Sequence, residues 1–415
     1  MTQTIAADTQ IMKGINAAAL LDILRTTDRI SVSELSTSSG LSRQAVTRAL
    51  DGLEAAGFVE YSAPDPSAAR SGRPAQLVRF RAEAGFLCGI AISSRSIRVA
   101  VADLLGRTLV SQAVSLDDRP IVQVVRDAVT SAVADAGLRT HQIWAATIGT
   151  PGIVDPIAGT IKLIPSMAQL EGGGLVQGVR EILDCEVYLD NDVKLATEGE
   201  QWRGGLGPHS SLVLIEWGER VGAGVLINGV LHRGASNDAG DIGFLDLAVD
   251  APALEQRAGL GAFENWVGGA EIVALAIAAA DELDEKDFGA TLRSSADHEA
   301  LETVIRRVRE GSPAAERAVV EAARRFVSGI AVVRALLDPD LVIIGGPMAD
   351  CGPVLLRELR SSLAQKILNQ PELELSTLGE DAVLFGAIHH SMSDIRSRLF
   401  LPSVIAETLS AQSRS

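Results

Sequence analysis

SRQAVTRALDGLEAAG, residues 42–57, decides how the front of this 415-residue chain is read. Val46, Leu50 and Leu53 recur at helical spacing on one face, while Arg43, Gln44, Thr47, Arg48 and Asp51 fall on the other. Ser42 is a favoured N-cap and Gly57 a natural helix stop. Just upstream, SVSELSTSSG (31–40) predicts a short helix with Val32 and Leu35 turned inward, closed by a glycine-containing turn. Two short helices joined this way make a helix-turn-helix, whose second helix is shaped for a DNA major groove. The polar face of the second helix is therefore expected to meet bases, with Ser42, Arg43, Gln44, Thr47 and Arg48 as DNA contacts.

The following residues extend the pattern. Phe58, Val59 and Tyr61 predict a strand, SAPDPSAARSGRP a loop, and Gln76 to Phe80 a returning strand. This is a wing, with Arg70, Arg73, Arg79 and Arg81 on or beside it. A loop carrying Gly-Arg-Pro can lay an arginine in a narrow minor groove, and Arg73 is the candidate. The competing reading is an ordinary packing module of two helices and a hairpin.

A formal charge of −16 looks wrong for a nucleic-acid binder until it is divided. Residues 1–82 carry 9 Lys and Arg against 8 Asp and Glu, leaving 28 against 45 for the remainder. The acidity belongs to a different domain, and only the local field at the wing has to suit phosphate. With 47% apolar and 4% aromatic residues, sizeable cores of Ala, Val, Leu and Ile are expected. No segment is read as the roughly 18 apolar residues of a membrane span, and MTQTIAADTQ lacks a basic-then-apolar leader, so the expectation is a cytoplasmic protein. Cys88, Cys185 and Cys351 are scattered; Cys88 and Cys185 lie in apolar strand-like runs and are read as buried thiols.

In chain order, residues 1–14 read as a mobile arm and Ile15 to Leu24 as an apolar helix under the helix-turn-helix. RAEAG (81–85) reads as a hinge. Three strands follow (86–93, 97–103 and 108–115), then a helix (121–136), a strand (143–148), a helix (174–183), a strand (187–189) and a helix (193–202). A second half opens with strands at 211–217 and 222–227 and later carries a helix (316–337), a strand (341–344) and a helix (353–368). Both halves begin with antiparallel strands and continue as alternating strand and helix. Such a pattern predicts two α/β lobes around a cleft.

GIAISSRSIRVAVADLLGRTL (89–109), IGTPGIVDPIAGTI (148–161), LDNDVKLATEGE (189–200) and GVLINGVLHRGASNDAGDIGFL (224–245) resemble consecutive signatures of the ROK family, named for repressor, open reading frame and kinase. VIIGG (342–346) and LGEDAVLFGA (378–387) resemble its later ones. The resemblance runs over about residues 86–391 with six motifs in order. It implies an actin-like, sugar-kinase-like ATPase fold: a first lobe at 83–203, a second at 204–400 whose final helix returns to the first, and a tail at 401–415 in which a short helix precedes a frayed end. The winged helix at 1–82 matches the regulator branch of the family, which includes sugar-responsive repressors.

The resemblance also locates where kinase chemistry has been lost. Family kinases carry an aspartate followed by Gly-Gly-Thr at the first strand turn, and the matching positions are Ala91, Ser93, Ser94 and Arg95. Phosphoryl transfer depends on positioning and charge neutralisation, so loss of the metal-organising carboxylate is costly. The second phosphate loop, Gly-Thr-Gly-x-Gly-Gly-Gly in the kinases, reads Gly218-Glu219-Arg220-Val221-Gly222-Ala223-Gly224, and Glu219 would repel phosphate. The family zinc site, a histidine and three cysteines, is replaced by Phe244, Glu255, Arg257 and Ala262. Zinc needs thiolate or imidazole ligands, so no metal and no cofactor are expected, with Phe244 packing in the metal's place.

The sugar side is better kept. Asn191 and Asp192 match the pair that in the kinases holds a sugar hydroxyl and supplies the base, and Glu264 matches a glutamate at the ring's anomeric end. Asp241 stands where the family has glutamate, and Lys194 replaces an asparagine. Converging carboxylates and amides suit a polyol, whose hydroxyls both donate and accept. Asn191 and Asp192 could equally serve only to cap the following helix. The resemblance implies a DNA-binding regulator of carbohydrate genes, a repressor by preference, dimeric or tetrameric, binding operator DNA and responding to a sugar or to a sugar phosphate through Lys194 or Arg220. The alternative is a sugar kinase with a regulatory DNA-binding domain; a third reading is a regulator answering to a partner protein.

Overall fold

The computed structural model describes residues 2–62, 76–164, 167–205, 207, 209–247, 257 and 259–405. It opens with a long helix, α1 (Thr2–Thr26), so the stretch read as a mobile arm is helical from Thr2. No proline interrupts it, and Ala17, Leu20, Leu21 and Leu24 anchor its second half in the core. Strand β1 (Ile30–Ser31) leads into α2 (Val32–Ser39), started by a capping box in which Glu34 N donates to Ser31 Oγ and Ser31 N to Glu34 Oε2. Gly40, at φ 71°, closes the turn in a left-handed conformation that a side chain would strain. Helix α3 (Arg43–Ala55) then starts on Ser42, whose side chain accepts from Ala45 N. Strands β2 (Val59–Ser62) and β3 (Leu77–Phe80) complete a sheet of order β1-β3-β2.

The first lobe contains β4 (Phe86–Ile92), β5 (Ser96–Asp103), β6 (Thr108–Ser115), α4 (Ile121–Asp135), β7 (Ile143–Thr150), a small hairpin β8 (Ile153–Asp155) and β9 (Thr160–Leu163), α5 (Gly174–Leu183), β10 (Glu186–Asn191) and α6 (Asp192–Arg203). Its sheet order is β10-β7-β4-β5-β6. The second lobe contains β11 (Leu212–Trp217), β12 (Val221–Ile227), β13 (Val230–Leu231), α7 (Ala262–Val267), α8 (Gly269–Glu282), α9 (Lys286–Ser294), α10 (Asp297–Arg309), α11 (Pro313–Leu337), β14 (Leu341–Gly345), α12 (Pro353–Lys366), β15 (Glu372–Leu375) and α13 (Asp381–Leu399). Its sheet order is β13-β12-β11-β14-β15. Each lobe is thus an antiparallel three-strand meander with two parallel strands added beside its first strand.

Strand alternation assigns the faces. Cys88, Ile90 and Ile92 of β4 join the core under α4 and α5, while Leu87 and Ala91 join the core on the opposite face, with Leu384 and Ile388 of α13. Helix α13 therefore packs on the first lobe, along β4, β7 and α6. A Cβ on Gly386 would stand 1.8 Å from Leu195 O and one on Gly199 2.1 Å from Ala382 O, so these two glycines let α6 and α13 touch backbone to backbone. The other side of α6 covers the second-lobe sheet through Ala196 against Leu212, Leu214 and Leu226. One helix is thus shared by both lobes.

The winged helix is fastened to this body, and the hinge reading of residues 81–85 is corrected. They form a tight turn with Ala82 fully buried; Arg81 N donates to Phe58 O, and Leu104 N donates to Ala82 O. Beside it Phe400, at the end of α13, meets Phe58 edge-on at 5.2 Å and Phe80 at 6.1 Å, with the Arg25 guanidinium 5.8 Å from its ring centre. Arg396 of α13 pairs with Asp22 of α1 at 3.0 Å. The apolar core runs unbroken from α1 through the wing strands to α13 because both units offer apolar faces at the junction. Of the C-terminal stretch, residues 402–405 are helical and Ile405 is buried; residues 406–415 lie outside the described residues.

Two smaller expectations change. Cys185 is only half-buried, because α5 ends at Leu183 with Asp184 left-handed at φ 51° and the chain turns there before β10 begins. The stretch Ala262–Glu282 is long and apolar enough to cross a membrane by length and composition. Here it is two helices broken at Gly268, with Phe263, Val267, Ile272 and Ala276 in the second-lobe core.

Candidate functional site

Two surfaces concentrate polar side chains that the fold does not consume. The first is the outer face of α3. Val46, Ala49, Leu50 and Leu53 are buried, which turns Ser42, Arg43, Gln44, Thr47 and Arg48 outward. Arg43 donates to Ser33 Oγ of α2 at 2.8 Å, which fixes its direction, and Thr47 Oγ1 donates back to Arg43 O. The side chains of Gln44 and Arg48 make no hydrogen bond to any described residue. Arg73 and Arg70 lie outside the described residues. Arg79 and Arg81 correct the expectation of free cations on the wing: Arg79 pairs with Glu60 at 2.7 Å and also with Glu83, and Arg81 lies 3.9 Å from Glu60. Antiparallel pairing sets Arg79 directly opposite Glu60, so the strand register itself neutralises it.

The second surface is the cleft. Asn191, Asp192, Asp241 and Glu264, from distant parts of the chain, all line one cavity of about 460 Å³ between the lobes. Parallel β10 delivers Asn191 and Asp192 to the start of α6. Asn191 Oδ1 accepts from Lys194 N at 3.2 Å, so the capping role is real, while its Nδ2 donates to Gly152 O and to Asp192 Oδ1. Asp192 Oδ1 also accepts from Val193 N, and its Oδ2 has no partner among the described residues. Loss of water pushes the Asp192 carboxyl up to about 6, against the pull of its backbone and side-chain donors.

Glu264 is occupied within the protein. It is 2% exposed and accepts from Val221 N at 2.9 Å and Gly261 N at 3.3 Å, and it pairs with Arg220 at 3.2 Å. Arg220 also donates to Gly259 O. Lys194 is buried as well; its ammonium donates to Asn237 O at 2.7 Å, and desolvation lowers its pKa against the pull of Asp190 and Asp241. Neither cation that lines the cavity is therefore left over for a phosphate. Asp241 is exposed at the mouth, its pKa raised by loss of water.

Phe244 corrects the expectation of apolar packing in place of a metal: it is 61% exposed and lines the cavity. Its short helical turn, Ile242–Phe244, turns Gly243 inward and leaves the ring at the cleft. Glu255 lies outside the described residues. Among the described residues no group of three or more His, Cys, Asp and Glu is placed to hold a metal ion.

Residue-by-residue reading missed two features. Arg233 pairs with buried Asp190 at 2.6 Å and donates to Asn237 Oδ1, while Asn237 Nδ2 donates to Val154 O, so the loop after β13 is tied to the floor of the first lobe. The charge pattern of HRGASND held that signal, but only the fold shows its partner. Glu216, near the end of β11, also lines the cavity, and burial pushes its carboxyl up to about 8, helped by Asp192 and Glu200. In sequence it is one charge inside an apolar strand. Positions of the lost kinase motif have structural duties: Ser93 Oγ turns back on Ser96, and Arg95 pairs with Glu302 of α10 across the lobes.

A family model described as the ROK family matches residues 87–391, and one described as the MarR family matches residues 15–70. The xylose repressor of Caldicellulosiruptor bescii is 24% identical over 395 residues, which cover 93% of this chain and 98% of that protein. A glucokinase from Streptomyces griseus, solved with glucose and AMPPNP, is 26% identical with a TM-score of 0.62, over 74% of this chain and 100% of its own. A transcriptional regulator described as a homolog of the E. coli MLC protein superposes with a TM-score of 0.73 at 18% identity, over 96% of this chain and 99% of its own. The regulator fold therefore accounts for 96% of the chain, and the kinase fold leaves about a quarter of it unmatched.

Proposed function

The chain belongs to the ROK family, and from that premise we propose that it is a sequence-specific DNA-binding transcriptional repressor whose two-lobed domain senses a sugar and has no kinase activity. The observation that carries this reading is the helix α3: its apolar face is locked into the body, and its outward face offers Arg43, Gln44, Thr47 and Arg48 as an uninterrupted polar surface. In this reading residues 1–82 read DNA and Arg73 enters the minor groove. Arginine suits guanine and glutamine suits adenine at base edges. Two such helices on a symmetric dimer or tetramer would read a pseudo-palindromic operator.

The cleft is the sensor in this reading, with Asn191, Asp192 and Asp241 facing the ligand and Glu264 shaping the wall beside it. The kinase alternative is opposed by the residues present: Ala91 carries no carboxylate for a metal, and Glu219 puts negative charge beside the loop that would cradle phosphate. An ATP-coupled sugar phosphorylation assay should read zero above background. The decisive experiment is fluorescence anisotropy on duplex from the protein's own upstream region, at fixed salt with excess nonspecific DNA, titrated with xylose and a panel of other sugars and sugar phosphates. Specific binding released by one compound is the expected result. Specific binding indifferent to all of them would make the cleft a scaffold, and turnover of ATP would favour the enzyme.

A further inference from the structure

The charges lining the cleft are unequally matched. Four carboxylates, on Asp192, Glu216, Asp241 and Glu264, face the cavity with only two cations, Lys194 and Arg220. Arg220 is held by Glu264, and Lys194 sits between Asp190 and Asp241 with its ammonium on Asn237 O. Asp192 and Glu216 are left over. The Glu216 side chain makes no hydrogen bond or ion pair with any described residue, and its carboxylate lies over the end of β14, 2.6 Å from where a Cβ on Gly345 would stand. Asp192 Oδ2 is likewise unanswered. Both acids are half-buried and meet the cavity unanswered by any cation of the protein, and such a site favours a ligand that brings the missing cation.

Building on the reading of the cleft as an effector pocket, we propose that the effector is a polyhydroxylated amine, a protonated amino sugar, whose ammonium group is shared by Asp192 and Glu216. A metal ion is the poorer occupant, because among the described residues no third acidic, His or Cys ligand stands with these two. An anion is poorer still, since both lining cations are spent. The remaining wall, with Ile153, Leu163, Val221 and Phe244, is apolar and suits the faces of a sugar ring. The raised proton affinities of Asp192 and Glu216 fit two acids waiting for a cation. Binding the ammonium should ionise Glu216 and release its proton.

The test is isothermal titration calorimetry of the full chain at about pH 6.5 with glucosamine, galactosamine and mannosamine, each beside its neutral parent hexose and with glucose 6-phosphate, in two buffers of different ionisation enthalpy. The expected result is that at least one amine binds ten or more times tighter than its parent, releasing up to about one proton. Glu216→Gln should abolish the release and reduce the preference to about twofold, and Asp192→Asn should weaken amine binding if the first variant folds poorly. Equal or tighter binding of a neutral hexose, or no binding of any amine, overturns the proposal. The regulator reading is judged separately by anisotropy: operator release by a neutral sugar would keep it while the amine proposal falls, and amine binding without operator release would do the reverse.

Discussion

Glu216 has a carboxyl that stays protonated to about 8 instead of its ordinary 4.5, because burial and the neighbouring Asp192 disfavour its charge. Between those values the folded chain keeps a proton that the unfolded chain has lost, so stability falls as pH rises through that window. Asp192 adds the same sign from 3.8 to about 6. Glu216→Gln should therefore melt close to wild type near about pH 5 and several degrees higher near about pH 8.5; scanning calorimetry with a gap independent of pH would contradict a desolvated, unpartnered acid. At the DNA surface, Gln44→Ala should relax discrimination at one base pair, worth about 1–3 kcal/mol. Arg73→Ala should weaken all sequences alike and lower the salt slope by about one. Randomised-site selection and a salt titration check the two.

Helices α6 and α13 act at the next scale. The first begins at Asn191 and Asp192 in the cleft, touches both lobes, and lies along α13 with glycines at the contact. The second ends at Phe400, edge-on to Phe58 and Phe80 of the winged helix. A ligand that shifts α6 has a packed route to the DNA-reading module, and the turn at 81–85 is too firmly hydrogen-bonded to be the moving part. Edge-to-face pairs are worth about 0.5–1.5 kcal/mol each, comparable with the coupling of about 1–3 kcal/mol that regulation needs. Phe400→Leu should keep operator affinity without effector but shrink the effector's tenfold-scale change to about twofold or less. Paired anisotropy titrations of wild type and variant measure it, and an intact effector response would remove α13 from the route.

For the whole molecule, the lobes are held together at two depths. At the cleft floor Arg233 pairs with Asp190, which is almost wholly buried. At the rim Arg95 pairs with Glu302, and both side chains are about half exposed, so that bond contributes at most about 1 kcal/mol. A contact of that size suits a latch that ligand binding can rearrange. Glu302→Arg should leave the melting temperature nearly unchanged while increasing the radius of gyration in small-angle scattering, and adding Arg95→Glu should restore the closed dimensions. Identical scattering from all three proteins would show that the rim pair holds nothing.

The sequence alone determined the winged-helix pattern and the two-lobe order, because these rest on local rules: caps at Ser31 and Ser42 and alternation along β4. That Asn191, Asp192, Asp241 and Glu264 meet at the cleft was implied by the family resemblance and not by any local rule. Tertiary structure decided how the charges are spent. Arg79, Arg220 and Lys194 read as cations available to DNA or phosphate, yet each is engaged by a partner 19, 44 and 43 residues away in the chain. Glu216 was invisible as a cleft residue for the opposite reason, since an isolated charge in an apolar strand carries no local signal of what it will face. Helical and strand periodicity report on neighbours a few residues apart. Charge pairing and burial depend on distances that exist only once the chain has folded.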